Sequence, residues 1–265
     1  NEMTHQNRVA NKLEGYRSRK TGVWVVGLGV VYAILFVVSG SWHRLLIAYP
    51  VIPVLVGDCL IQRQTECRGA NLETAELRRA NLSHARLNMA NLEGANLWHA
   101  NLSYADLGGA NLSYANLRET DLTGANLRGA NLDGALMDNA KMSSADLSAA
   151  QLGGVILTGA DLELAKLAKA DLEGAFLEGI NLKGADLSGA RLIAAHLGGS
   201  DLQGANLRGA YLQRSCLYDA NMTGAKLSGS YFSGAWYDGR TSWPEDFDPK
   251  AASAFEGNPE EAECE

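Results

Sequence analysis

Residues 90–109 read ANLEGANLWHANLSYADLGG, and this five-residue beat continues over most of the chain. Few folds can accommodate it. In a helix, five steps of about 100° would scatter successive leucines around the barrel. In a continuous strand the side-chain period is two, so an odd spacing would send alternate leucines to opposite faces. Each five-residue unit must therefore end in a corner that turns every leucine toward one interior. Units too short to bury an apolar side alone do so by stacking, which is a solenoid.

The central leucine falls at Leu72, Leu77 and Leu82 and recurs every fifth residue to Phe232 and Tyr237, giving 34 units without an insertion. Met137, Met142, Met222, Phe232 and Tyr237 replace it, and all are large and apolar. Two residues earlier stands alanine, except at Thr120, Val155, Ile180, Ser200, Ser215 and Ser230. A large and a small inward residue in alternation suit a narrow packed column. Between them lies Asn or Asp, as in Asn91, Asn96 and Asp106, placed to point outward or to bond corner backbone. Glycine two residues after the leucine, as at Gly94, Gly124 and Gly129, fits a corner with unusual backbone angles. The five prolines stay outside the repeats.

These A(D/N)LXX units resemble the pentapeptide-repeat family over residues 68–240. The resemblance implies an all-β solenoid, a right-handed quadrilateral β-helix with four pentapeptides per coil and about eight and a half coils. Beyond it, residues 241–265 carry eight acidic residues and one lysine and read as a C-terminal cap and acidic tail. Tyr231, Phe232, Trp236, Tyr237, Trp243, Phe247 and Phe255 are placed to cover the last coil, with Pro244 and Pro249 ending the pairing. The stretch TSWPEDFDPKAA also resembles endings of cyanobacterial and plastid members, pointing to a photosynthetic source.

The other end differs in kind. After a basic segment, 1–21, residues 22–39 form eighteen consecutive positions without a charge. That length predicts a transmembrane helix preceding the β-helix; a secretory signal peptide is the competing reading. Trp24, Tyr32, Phe36 and Trp42 are the expected anchor residues in lipid. Residues 40–67 form an apolar linker whose stretch 45–57 is a possible second membrane or interfacial segment. Five basic residues against two acidic ones before the first span place the N-terminus on the cytoplasmic or stromal side. A single crossing then puts the rod on the opposite side, in a thylakoid or plasma membrane, whereas a second crossing by 45–57 returns it to the cytoplasmic side.

Chemistry is sparse. Cys59, Cys67, Cys216 and Cys264 have no metal-ligand spacing, although Cys59 and Cys67 are near enough to pair in an oxidising compartment. No histidine stands in a catalytic arrangement, and the Gly-rich pieces keep the five-residue beat rather than a phosphate-loop pattern. The sequence predicts no catalytic, cofactor-binding or metal site, no small-molecule substrate and no enzyme.

Function is instead sought on the outward surface. With four units per coil, residues twenty apart stack, and one column reads Glu76, Asn96, Asn116, Leu136, Ile156, Phe176, His196, Cys216, Trp236. It turns apolar half-way along, which marks either side chains tucked within the wall or a docking stripe. Leu136, Ile156, Phe176, His196 and Trp236 are candidate partner contacts, and Trp98, His99 and Tyr104 form a second candidate patch. The expected function is a non-enzymatic, membrane-anchored assembly protein, an accessory subunit of a membrane protein complex contacting lipid and protein subunits.

Two alternatives stand beside it. Some family members bind DNA gyrase by resembling DNA, which implies a topoisomerase inhibitor as one. The repeats, however, carry 18 acidic and 15 basic residues, too balanced for the uniform field of a DNA mimic. Direct nucleic-acid binding is disfavoured, because the basic residues are scattered singly and the net charge is −7. A membrane-localised signalling or stress-related binding module is the other alternative.

Overall fold

The computed structural model describes residues 23–28, 31–36, 54–56 and 59–257. The chain divides into two compact units, Asn1–Val54 and Leu55–Glu265.

In the first unit, β1 (Val23–Leu28) and β2 (Val31–Phe36) pair antiparallel, with Val23 opposite Phe36 and Leu28 opposite Val31. The transmembrane helix expected over 22–39 is therefore corrected: the described backbone there is two six-residue strands, and no described helix is long and apolar enough to cross a membrane. The physical reason lies in composition. Both segments are rich in Val, Ile, Phe, Tyr and Trp, which favour strands over helices. Trp24, Tyr32 and Phe36 lie on these strands, whereas Trp42 falls outside the described residues. Of the stretch 45–57, only β3 (Val54–Val56) is described, paired with β4 (Cys59–Ile61).

The second unit is the solenoid. Parallel bridges join each outward residue to the one twenty positions on, from Glu66 with Arg86 to Cys216 with Trp236, and a last bridge joins Asn221 to Ser242, twenty-one on. A coil is thus twenty residues, and its four corners are visible in the backbone. The second residue after each leucine adopts a positive φ, as at Gly94 (61°), His99 (57°), Tyr104 (56°) and Gly109 (63°). Each corner closes by a hydrogen bond from the small residue to the preceding leucine, as Ala75 N donates to Leu72 O at 3.0 Å. These are β-turns with the left-handed residue in third place. Apart from the half-buried Leu227, the central leucines are 0–2% exposed, so the interior is one continuous apolar column. Where a hydroxyl replaces alanine at Thr120 and Ser215, it donates to the turn carbonyl of Leu117 (2.6 Å) or Leu212 (2.8 Å) and stays satisfied while fully buried.

The recurring Asn or Asp follows from backbone accounting. In a unit such as 90–94, Ala90 N donates to the turn, while Asn91 N, Leu92 N and Gly94 N donate to neighbouring coils. The N–H of Glu93 has no such partner and donates to Asn91 Oδ1 at 3.3 Å. The same bond recurs at Ser103 to Asn101, Gly108 to Asp106 and Ser148 to Asp146. The amide groups also form ladders between coils, as Asn91 Nδ2 donates to Asn71 Oδ1 and Asn126 Nδ2 to Asp106 Oδ1.

At the C-terminal end, Phe232, Tyr237, Trp243 and Phe247 close the column through ring contacts of 5.0–5.6 Å. Tyr231 instead lies on an outer face and is exposed. Trp236 belongs to β5 (Trp236–Tyr237), which pairs in parallel with β6 (Phe255–Glu256).

Candidate functional site

Five inter-coil bridges join Leu136, Ile156, Phe176, His196, Cys216 and Trp236 in one file. The β5–β6 pairing then sets Phe255 beside Trp236, so the file extends one step further than the repeat pattern predicts. At the ordinary spacing between strands, six steps make a stripe about 29 Å long. It begins where a polar ladder stops: Asn96 Nδ2 donates to Glu76 Oε2 and Asn116 Nδ2 to Asn96 Oδ1, and the next residue is Leu136. Leu136, Ile156 and Phe176 offer no acceptor to the corner N–H groups of Asp138, Thr158 and Glu178. The sequence gives up a recurring local bond there in return for apolar surface.

Part of this stripe is internal wall packing. Phe176 stacks on His196 with centroids 4.9 Å apart, Trp236 meets Phe255 at 5.4 Å, and Cys216 is 4% exposed. The rest faces solvent: Phe176 is 41% and Phe255 53% exposed. Leu136, Ile156, His196 and Trp236 are half-buried. Glycines occupy both flanking corners, at Gly134, Gly154 and Gly174 on one side and Gly159, Gly179 and Gly199 on the other. Side chains border the stripe as well: Tyr114 lies against Gly134, Asn139 lies against Gly159, and Ala194 and Arg214 hold the corners further along. On the preceding face, Tyr211 and Tyr231 stack at 5.1 Å and are both exposed.

Acidic groups border the stripe at Asp133, Asp138, Glu173 and Glu178, several of them engaged. Asp138 accepts from Arg118 Nε at 2.9 Å, Glu173 pairs with Arg191, and Glu178 lies 3.8 Å from His196 Nδ1. Near its C-terminal end, burial pushes the Tyr218 phenol up, and the Asp238 carboxylate adds to that rise.

The second candidate patch separates into two. Trp98 sits under Arg78 at 4.6 Å, contacts the His99 ring at 4.5 Å and donates to Glu119, which also pairs with His99 at 3.3 Å. Tyr104 turns away from this group and stacks on His84 at 5.3 Å. The corner position explains the split: Tyr104 follows its own column, in which the neighbours are His84 and Gly124 rather than Trp98.

Among the described residues, no group of three or more His, Cys, Asp or Glu is placed to hold a metal ion. A pocket of about 560 Å³ opens between the last coil and the cap, lined by Thr223, Leu227, Pro244, Asp246 and Phe247 among others.

The pentapeptide-repeats family model matches this chain over 63–94, 90–129, 120–159, 145–184, 185–224 and 215–235, more than half its length. The chain belongs to the pentapeptide-repeat family. Among solved structures it is similar to HetL, a pentapeptide repeat protein involved in heterocyst differentiation regulation from the cyanobacterium Nostoc sp. strain PCC 7120. The identity is 40% over 65% of this chain and 76% of that one, with a TM-score of 0.40. It is also similar to a pentapeptide repeat protein from the Arabidopsis thaliana thylakoid lumen, at 26% identity over 45% of this chain and 63% of that one, with a TM-score of 0.14. Similarity to QnrB1, a plasmid-mediated fluoroquinolone resistance protein, is 18% in identity over 66% of this chain and 91% of that one, with a TM-score of 0.45. No curated protein matches the chain.

Proposed function

We propose that this pentapeptide-repeat protein is a non-enzymatic assembly factor that docks a protein subunit of a membrane complex along the Leu136–Phe255 stripe. The observation that carries this reading is the stripe itself, a partly exposed apolar file that replaces the polar ladder of Glu76, Asn96 and Asn116. Coils spaced about 4.8 Å apart nearly match the 5.4 Å pitch of an α-helix, so an apolar helix face lying along the rod meets one stripe residue per turn. The acidic border favours a partner helix with basic flanks.

Membrane association is assigned to the uncharged run 22–39, with the N-terminus on the cytoplasmic or stromal side, in a photosynthetic membrane such as the thylakoid. The length of that run and the basic segment before it support this placement. The balanced wall supports assembly over topoisomerase inhibition. Acidic side chains such as Asp138, Asp171 and Asp201 are neutralised by Arg118, Arg191 and Lys183 between coils, leaving no continuous negative face.

The test is gentle detergent extraction from native membranes, followed by mass determination and identification of co-migrating subunits. A stoichiometric companion that is retained by the wild type and lost with Phe176→Asp, at unchanged circular dichroism, supports the reading. A single species near 28 kDa plus detergent, or a companion indifferent to Phe176→Asp, overturns it.

A further inference from the structure

The first coil should be the least protected part of the rod, because the inter-coil ladder begins at Glu66 and Arg86. Yet Leu72 and Leu77 in that coil are only 1% and 2% exposed. Ile61 and Cys59, from β4, are equally buried at 4% and 2%. Cys67 occupies the inward position held by leucine in later coils and is 3% exposed. It is disulfide-bonded to Cys59, with Cα atoms 5.4 Å apart, and Thr65 Oγ1 lies 3.2 Å from its sulfur. No described cysteine is a free thiol.

We propose that the Cys59–Cys67 pair is a redox latch on the N-terminal end of the β-helix. Oxidised, it fastens β4 over the mouth of the leucine column. Reduced, it frees β4 and opens the first coil.

The latch closes by exchange with an external protein or small-molecule disulfide. One cysteine thiolate attacks a sulfur of that disulfide, forming a mixed disulfide and releasing one thiolate. The second cysteine, deprotonated, attacks the first cysteine's sulfur and releases the other thiolate. Two protein thiols and one external disulfide thus become one protein disulfide and two external thiols, and an external dithiol reverses the sequence. Because both sulfurs are buried, a reductant reaches them only when β4 lifts, which makes reduction slow in the folded protein. The latch therefore requires an oxidising compartment for its closed state. Membrane anchoring and stripe docking are separate readings, and neither is needed for it.

The full chain is isolated from its native source with an alkylating agent present throughout, then digested with trypsin with and without dithiothreitol. The expected result is no alkylation of Cys59 or Cys67 as isolated. Without reductant, cleavage after Arg63 and Arg68 is slow. Reduction labels both cysteines and raises that cleavage about tenfold to a hundredfold, in keeping with the loop-closure effect of a short bridge, while coils beyond Leu72 stay intact. A Cys59→Ser, Cys67→Ser double variant is cleaved at the reduced rate whether or not dithiothreitol is present. Alkylation of either cysteine in protein as isolated overturns the proposal. So does cleavage at Arg63 and Arg68 that ignores reduction, or a double variant that cleaves as slowly as the oxidised wild type.

Discussion

At Gly124 the backbone has a φ of +64°, and a Cβ built there would sit 2.6 Å from Tyr104 Cε1 in the previous coil. The same arrangement places Met89 against Gly109, Tyr114 against Gly134 and Leu164 against Gly184. A bulky side chain at one left-handed corner thus lies over a glycine twenty residues later. Gly124→Ala meets both penalties, an unfavourable backbone region and a ring in the way, so it should lower unfolding stability by about 1–3 kcal/mol. Denaturant titration checks this, and adding Tyr104→Ala should restore the steric part while leaving the backbone part. If the second substitution restores nothing, the ring is not the obstacle. At this scale the sequence was only partly legible. Glycine at corners was readable from the five-residue beat, whereas its partner twenty residues earlier becomes visible only once the coil length is known. The Asn and Asp side chains were readable as corner-bonding, because one N–H per unit must find an acceptor outside the ladder.

Among elements, the C-terminal cap is fastened by Asp238. Its Oδ1 accepts from Asp219 N at 2.9 Å, from Arg240 N and Thr241 N at 3.2 and 3.1 Å, and from Thr241 Oγ1 at 3.0 Å. Its Oδ2 accepts from Arg240 Nε at 2.9 Å. Burial opposes the charge, but these donors outweigh it and hold the carboxyl down to about 2. Since the unfolded carboxyl titrates near 3.9, the ionised folded group adds stability that is complete above about pH 4 and is lost as pH falls toward 2. The side chain is 11% exposed, so the contribution is about 2 kcal/mol at neutral pH. Asp238→Ala should cost about that much at pH 7, and the gap to wild type should shrink toward zero near pH 2, which denaturation at both pH values measures. An unchanged gap would assign the cost to packing instead. The cap aromatics Phe232, Tyr237, Trp243 and Phe247 were legible as a cluster where repetition fades. The Asp238 knot was not, because its donors come from the previous coil and from a turn outside the repeat. The N-terminal pair β1 and β2 was misread for a related reason: an uncharged run of that length fits a helix by length, and only its β-branched and aromatic content argues for strands. The apolar stripe was visible once four units per coil were assumed, yet Phe255 lies off the beat and joins through β6 alone.

For the rod as a whole, stacking makes stability a sum over coils and their contacts with immediate neighbours. A central coil loses two such contacts when it opens alone, whereas a terminal coil loses one, so opening should begin at the ends. The two ends are guarded differently, by the Cys59–Cys67 bridge with β4 and by the Trp243–Phe247 cluster over Phe232. Replacing Trp243 and Phe247 together by alanine removes two rings from the column's C-terminal mouth and leaves every inter-coil bond in place. Hydrogen exchange should then accelerate first and most in the last coil, from Leu217 to Tyr237. Coils between Leu102 and Leu182 should keep their protection, because each still has two intact neighbours. Should the substitutions speed exchange equally along the whole column, the rod opens as one cooperative body, and local guarding of its ends would have no separate meaning. A graded response has a functional consequence for the stripe. Its Leu136–Phe176 half would remain a rigid face while the Trp236–Phe255 half loosens, so a docked partner should lose contacts progressively from the capped end.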